Sequence, residues 1–589
     1  MHLSSLDWTI VAVSLLLSFA PALYLARRAG SSAEEFFASG RSAPWWLIGV
    51  SMVATTFSTD TPNLVANLVR EHGVANNWQW WAFLLTGMAT VFFYARLWRR
   101  SGVLTDLEFY ELRYSGRPAT AVRAFRAVYL GLFFNCVIMA TVNLAAAKIA
   151  NVLLGWPVWQ TLAWCAGINV LFAATSGLWG VLVTDFIQFG VAMTGSVAAA
   201  YYALQRPEVG GLQGLVTRLP AGTLSMVPDF SNTSLTLSIF VIPLAVSWWS
   251  VWYPGSEPGG GSYIAQRMLA ARSERDALGG TLLFNVAHYA LRSWPWIITA
   301  LASILVFPTL ADIGRAFPYV DPALLGEDMA YSAMLTFLPS GVLGLMVAGL
   351  LAAYVSTIST HLNWGTSYLV HDIYRRFLRP GESDRHYVAM GRLVTALLML
   401  VAIGFTYLLE TARQAFDLML SIGAGTGLLY LLRWFWWRIN AWSEIVAMAV
   451  SFLLAAGFHL ARLNGAVIAS ELSLLVTIGL TTVAWVTATY LGPTTDRAVL
   501  LNFYRLIRPA GPGWADVRAE AAVAPSSDSI PHQLLGWVLG VALVYGALFG
   551  SGALLFGHTR QGILGLGIAA GCALWLVRLL PRIWSGGDR

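Results

Sequence analysis

An apolar segment beginning near Trp45 is interrupted at Ala54-Thr-Thr-Phe-Ser-Thr-Asp-Thr-Pro62 by hydroxyls, a carboxylate and a proline. Such groups are costly at membrane depth, where no water satisfies backbone or side-chain polar atoms. A helix broken there is tolerated only where protein or trapped water meets the freed backbone, so it lines a cavity. A second interruption stands five segments later, at Ser247-Trp-Trp-Ser-Val-Trp-Tyr-Pro-Gly255. Paired broken helices in matching places of two halves are the best pointer in sequence to a transporter's binding site.

Composition decides that these segments lie in a membrane. Hydrophobic residues make up 57% of the chain and charged residues 11%, with mean hydropathy +0.64. Soluble proteins average about 25% charged residues, so the chain reads as an integral membrane protein. A pI near 9.2 would suit a nucleic-acid partner. Here the basic residues cluster beside the ends of apolar runs, which the positive-inside rule explains better. No stretch reads as a soluble catalytic or nucleic-acid-binding domain. Cys136, Cys165 and Cys572 are scattered through apolar runs and give neither a disulfide framework nor metal-ligand spacing. The first run, Asp7 to Leu25, lacks a basic flank and a small-residue cleavage site, so it reads as a retained span.

A membrane-spanning helix needs about 20 apolar residues. Fifteen candidates meet that measure, at about 6–26, 45–69, 78–98, 122–154, 158–175, 178–204, 233–253, 276–306, 328–374, 387–410, 414–435, 440–459, 470–491, 532–556 and 561–580. The ninth is too long for one span and should include a short outer helix before Leu338. Arg27, Arg28 and Arg41, then Arg96, Arg99 and Arg100, then Arg267, Arg272 and Arg275, then Arg375, Arg376, Arg379 and Arg385, then Arg433 and Arg438 fall in alternate loops. That alternation puts these loops in the cytoplasm, the N-terminus outside and the C-terminus inside. The expected organisation is an extra helix in 1–30, a transport core in 31–440, two further spans in 441–491, a polar cytoplasmic linker in 492–531 and two C-terminal helices in 532–589. Gly567 and Gly571 in the last span are expected to aid helix packing. Five segments from 45 to 204 and five from 233 to 435 start on opposite sides of the membrane, the topology of an inverted repeat.

The ninth segment carries Ala353-Tyr-Val-Ser-Thr-Ile-Ser-Thr360. Positions i, i+3 and i+4 share a helix face, so Ser356, Ser359 and Thr360 present one row of oxygens while Thr357 stands beside Ala353. A hard monovalent cation wants several oxygens, and hydroxyls with the freed carbonyls of a broken helix provide them. The plainer explanation is that membrane Ser and Thr bond their own helix's carbonyls or glue neighbours. Asp185 lies well inside a span, where a carboxylate is a functional candidate by default; its alternative is a wet position near the cytoplasmic end. Asp60 has the same status. His288 and Arg292, four apart, could hold a substrate oxygen or carboxylate, or Arg292 could snorkel or pair with an acidic neighbour. Trp78, Trp434, Trp436 and Trp437 suit the interfacial belt, whereas Trp248 and Trp249 suit cavity walls. The Pro254–Gly261 run lacks a phosphate loop's lysine and preceding strand, so it reads as a turn.

These residues resemble the sodium:solute symporter family, with its sodium/sugar, sodium/proline and sodium/sialic-acid cotransporters. The resemblance rests on Ala33-Glu-Glu-Phe-Phe-Ala-Ser-Gly-Arg41 before a Trp-Trp pair, Gly49 to Pro62, and Gly177-Leu-Trp-Gly-Val-Leu-Val-Thr-Asp-Phe-Ile-Gln188. It continues through Tyr263-Ile-Ala-Gln-Arg267, Leu338-Pro to Thr360, and His371-Asp-Ile-Tyr374. It covers about 30–440. The fold implied is an all-α, leucine-transporter-type core of five-plus-five helices in inverted repeat, with flanking helices, working by alternating access. The ion implied is sodium, held by the carbonyls of Ala54, Phe57 and Ala353 and the hydroxyls of Ser356 and Thr357. A second sodium in some members would fall here on Asp185, Ser356, Ser359 and Thr360. No organic cofactor, nucleic acid or obligatory protein partner is expected.

On the solute side, Gln79 stands where sugar transporters of the family carry a glutamate, His288 where they carry a lysine and Ser247 where they carry an asparagine. These departures bear on whether the solute is a simple hexose. Asp60, Gln79, Ser247, Trp249, His288 and Asp417 are the pocket candidates for a small polar, sugar-like solute. An amino acid or carboxylate and proton coupling through Asp185 are alternatives. Two rivals of other classes are a solute sensor signalling through 492–589 and an intramembrane enzyme using Asp60, Asp185 and His288 as acid–base groups.

Overall fold

With no water to satisfy its backbone, a lipid-embedded chain must close its hydrogen bonds within helices or a closed barrel. The computed structural model describes residues 3–29, 32–250, 258–409, 423, 425–524 and 526–584. Among them the chain is helical, with no strand beyond an isolated bridge between Ala43 and Ala271. A first helix, α1 (Ser5–Ala29), precedes the two arms of the first interrupted segment, α2 (Trp45–Thr55) and α3 (Asp60–His72). Next come α4 (Val74–Ser101), α5 (Gly116–Leu154), α6 (Val158–Ala173), α7 (Gly177–Leu204) and α8 (Thr233–Ala245). A 3-10 turn at Ser247–Trp249 follows α8. Then come α9 (Ser262–Ala270), α10 (Glu274–Val306), the short α11 (Met329–Leu335), α12 (Val342–Leu378) and α13 (Asp384–Thr406). The remainder forms α14 (Gly427–Leu432), α15 (Ala441–Leu463), α16 (Ser470–Leu491), α17 (Arg497–Ile507), α18 (Ile530–Leu555) and α19 (Thr559–Trp584).

Ten of the described helices are long and apolar enough to cross a membrane, and α2, α6, α8 and residues Ser5–Pro21 of α1 are shorter apolar helices. They fall on the expected segments. The ninth divides into α11 and α12; the eleventh, 414–435, lies partly outside the described residues.

Two local features shape the core. At the first interruption α2 stops at Thr55, Phe57 N–H turns back to the Ala54 carbonyl at 3.0 Å, and Ser58 takes the left-handed conformation with φ 49°. Pro62 costs nothing there, because it sits in the first turn of α3, where a backbone N–H has no helical partner. Gly177 joins α6 to α7 at φ 56°, ψ −173°, a conformation that strains a residue bearing a Cβ. Running through the middle, α12 is buried on all sides from Ala352 to Ser367 and packs along α7 and α1.

Most of the basic loops meet at one end of the bundle. Arg41 donates to the Gly102 carbonyl (2.6 Å), Arg99 to the Ala271 carbonyl (2.6 Å), and Arg113 to those of Trp436 and Trp437 (both 3.0 Å). Two arginines in the orientation pattern are exceptions. Arg267 lies in α9, fully buried inside the bundle, and Arg433 is buried beside Glu444. A basic residue near an apolar run can equally be a buried partner of an acid, which charge counting does not distinguish.

The segment after 491 covers the core. Helix α17 buries Leu500, Phe503, Tyr504 and Ile507, and Trp514 packs on Phe503. Trp434 is therefore enclosed with Trp98, Phe109 and Phe503 rather than standing in an interfacial belt. Trp78 is likewise buried, against Phe240 and against Tyr545 and Phe549 of α18.

Candidate cation and solute site

The break after α2 meets α12. Thr357 Oγ1 lies 2.7 Å from the Thr55 carbonyl oxygen across the junction and 3.0 Å from the Ala353 carbonyl oxygen of its own helix. The Thr55 carbonyl is available because the last carbonyls of a helix lack the donor that a further turn would supply. A hydroxyl has one hydrogen and serves only one of these carbonyls at a time. Three oxygens from two helices thus share one proton, whereas a small hard cation could be ligated by all three. Ala54, Phe57, Ala353, Ser356 and Thr357 are all buried; the Ala54 carbonyl accepts from Phe57 N–H and Ser356 Oγ donates to Asp185.

Beside it lies a second cluster. Asp185 of α7 accepts from Ser356 Oγ of α12 and from Ser51 Oγ of α2, each at 2.5 Å. Thr360 Oγ1 stands 3.1 Å from Thr55 Oγ1 and accepts from Arg267 Nη2 at 2.6 Å. Ser359 instead donates to the Ser356 carbonyl at 3.1 Å, the ordinary self-bonding of a membrane serine. Ser51 and Arg267 were not among the expected residues. Ser51 was findable, since it precedes Thr55 by one turn on the same face.

Of the solute candidates, Asp60 and His288 stand at the same break, and Gln79, Ser247 and Trp249 have other neighbours. Asp60 accepts from Thr141 of α5 at 3.2 Å. His288 of α10 places Nδ1 3.0 Å from Thr56 Oγ1, with the Trp80 ring edge-on at 5.8 Å. Arg292 donates to the carbonyls of His288 (3.2 Å) and Val53 (3.3 Å), to Thr56 Oγ1 (3.2 Å) and to His288 Nδ1 (2.6 Å). Gln79 donates to Asn76 Oδ1 at 2.5 Å. Ser247 and Trp249 form the turn below α8; a Cβ on Gly427 of α14 would fall 1.6 Å from the Trp249 carbonyl oxygen. Asp417 and residues 254–257 of the Pro254–Gly261 run lie outside the described residues. A further residue was missed on the solute side: Asn63 is fully buried one turn into α3, with neither end of its amide hydrogen-bonded within the chain. An amide at membrane depth on the Asp60 face was the signal.

A bundle of membrane-crossing helices, opened by a broken helix whose freed carbonyl meets a buried hydroxyl, defines a secondary transporter rather than an enzyme. A profile of the sodium:solute symporter family matches residues 36–451, and the chain belongs to that family: it is a sodium-coupled integral membrane symporter. Among its relatives, a sodium/glucose cotransporter of Vibrio parahaemolyticus is 25% identical over 485 residues, covering 77% of this chain and 85% of that one. A sodium/mannose cotransporter of Bos taurus is 26% identical over 494 residues, covering 76% and 78%. In fold, the chain is similar to a Na+-coupled sialic acid symporter in a substrate-bound outward-open state, with TM-score 0.64 at 17% identity over 84% of this chain and 99% of that one. The architecture is accordingly the leucine-transporter-type inverted repeat with flanking helices.

Proposed function

We propose that this symporter imports a small polar, sugar-like solute by alternating access, driven by sodium bound where α2 breaks against α12. The observation that carries this reading is the position of Thr357 Oγ1 between the carbonyls of Thr55 and Ala353. In this reading the ion's ligands are drawn from the Ala54, Phe57 and Ala353 carbonyls and the Ser356 and Thr357 hydroxyls, with the Thr55 carbonyl joining them at the break. Sodium would tie α2 to α12, favour the outward-open state and complete the solute pocket, since differential affinity for two states is what couples them. The working unit is the core, 31–440, flanked by 1–30, 441–491 and 532–589, with 492–531 joining the last pair. The N-terminus lies outside and the C-terminus in the cytoplasm, following the basic loops.

Asp60, Asn63, Gln79, Ser247, Trp249 and His288, with Asp417, make the solute pocket of this proposal. Hydroxyl-rich solutes suit carboxylate, amide and imidazole groups beside indole rings. The sodium/glucose and sodium/mannose relatives support that class. A carboxylate solute fits less well, because Arg292 directs its donors to protein acceptors. The test is a thermal-shift screen of the purified chain against sugars, amino acids, nucleosides and sialic acids, with sodium or with choline. A sugar that stabilises only with sodium is the expected result; stabilisation by an amino acid alone, independent of sodium, would overturn the proposal.

A further inference from the structure

The oxygens expected to take a second sodium are already arranged around a cation that belongs to the chain. Arg267 of α9 is fully buried. Its Nη2 donates to Thr360 Oγ1 at 2.6 Å and lies 3.5 Å from Thr55 Oγ1 and 3.8 Å from Asp185 Oδ2. Its Nε donates to Ser51 Oγ at 3.2 Å and its Nη1 to Gln266 Oε1 at 3.0 Å. Both Asp185 oxygens are taken by serine hydroxyls, and Ser359 is turned onto its own helix. Carboxylate and guanidinium together carry no net charge. A sodium ion placed among the same oxygens would leave an uncompensated charge in a dry interior and would sit within a few ångströms of the guanidinium. The residues present therefore do not fit a second ion at that place.

We infer that Arg267 is the resident counter-cation of Asp185 and that the chain binds one sodium ion, at Thr357, per transport cycle. The guanidinium does for the second cluster what the ion does for the first. It links α2, through Ser51 and Thr55, to α12, through Thr360, while its charge answers Asp185 on α7. Unlike an ion it cannot leave, so it contributes no driving force. This rests on the sodium reading at Thr357, and the two are separable by counting ions.

The measurement is equilibrium binding of radiolabelled sodium to the full chain in lipid nanodiscs, with choline holding the ionic strength. Wild type should bind one ion with a Hill coefficient near 1, Thr357→Ala should lose it, and Asp185→Asn should keep it. Arg267→Gln, which keeps donors but removes the charge, should raise the count to two, and the double variant with Asp185→Asn should return it to one. If Arg267→Gln does not fold, wild type against Asp185→Asn still decides. Two ions in wild type, one of them lost in Asp185→Asn, would overturn the role of Arg267 and leave the Thr357 site standing. No sodium bound by wild type would remove both.

Discussion

At the scale of single residues, the site turns on which buried oxygens have too few protons. Thr357 can serve the Thr55 carbonyl or the Ala353 carbonyl but not both, and that deficit is what a cation repairs. Thr357→Ala should raise the sodium concentration needed for half-maximal uptake by about tenfold or more, which corresponds to ~1.4 kcal/mol. Thr357→Ser, which keeps the hydroxyl, should stay within about threefold. The sodium dependence of solute uptake in proteoliposomes checks both, and equal sodium responses in the two variants would exclude Thr357 as a ligand. The hydroxyl run at 356–360 was legible in sequence because polar atoms at membrane depth must be explained one by one. Arg267 was not, because a charge close to an apolar run reads as a loop until its burial and its Asp185 neighbour are seen. Ser359, named with its neighbours, turned out to bond its own helix: a face shared in projection does not fix where each hydroxyl points.

Among the elements, the break between α2 and α3 and the split of the ninth segment into α11 and α12 followed from hydropathy and proline placement. How α18 and α19 dock did not. Gly567 and Gly571, expected to pack, would meet nothing within 4 Å if given a Cβ, whereas a Cβ on Gly550 or Gly565 would fall within 3.0 Å of the other helix's backbone, so these two let the helices close. Glycine content alone does not reveal which face a helix presents. The hairpin is also pinned to the core by polar caps: Trp537 Nε1 donates to the Leu85 carbonyl (2.8 Å), Tyr545 to that of Trp81 (3.0 Å), and Trp294 Nε1 to that of Leu548 (3.0 Å). Beside Trp294 there is no room for a methyl group on Gly552, whose Cβ would lie 1.9 Å from the indole. Gly552→Ala should therefore cost about 1–3 kcal/mol through overpacking and lower the melting temperature. Gly567→Ala should be neutral or slightly stabilising, since alanine is the better helix former. Matched thermal melts of the two variants in the same detergent read this out, and equal losses would mean that the hairpin does not bear on the core at Trp294. A buried pair gives a second case. Lys148 of α5 meets Asp328 at 2.8 Å and 3.1 Å, both buried. Lys148→Met would strand the carboxylate and should cost about 3–5 kcal/mol; a melting temperature within a degree of wild type would show that water reaches Asp328.

Across the whole molecule, the helix that carries the cation site is anchored at one end by a charged network that joins it to α5 and to the loop before it. Glu108, in the loop between α4 and α5, accepts from His371 near the end of α12 at 2.8 Å. Next to it Arg123 pairs with Glu111 (2.6 Å) and with Asp372 (2.5 Å). Burial alone would push the Glu108 carboxyl up, but the hydrogen bond and charge of His371 with the charge of Arg123 hold it below its ordinary value of 4.5. A carboxyl whose folded value is depressed contributes stability above its unfolded value and loses that contribution as pH falls through the folded one. The contribution of Glu108 should thus be constant from neutral pH down to about 4.5 and fade below it. Melting temperatures of wild type and Glu108→Gln across that range isolate this group from other acids. The variant should melt lower at neutral pH, and the gap between the two should narrow only below about pH 4.5. A gap that stayed constant on acidification would mean that Glu108 anchors α12 by packing rather than by charge. In that case this end of α12 would be held by the Arg123–Asp372 pair and by packing, and the charge of Glu108 would have no part in setting how far α12 can move as the cavity changes sides.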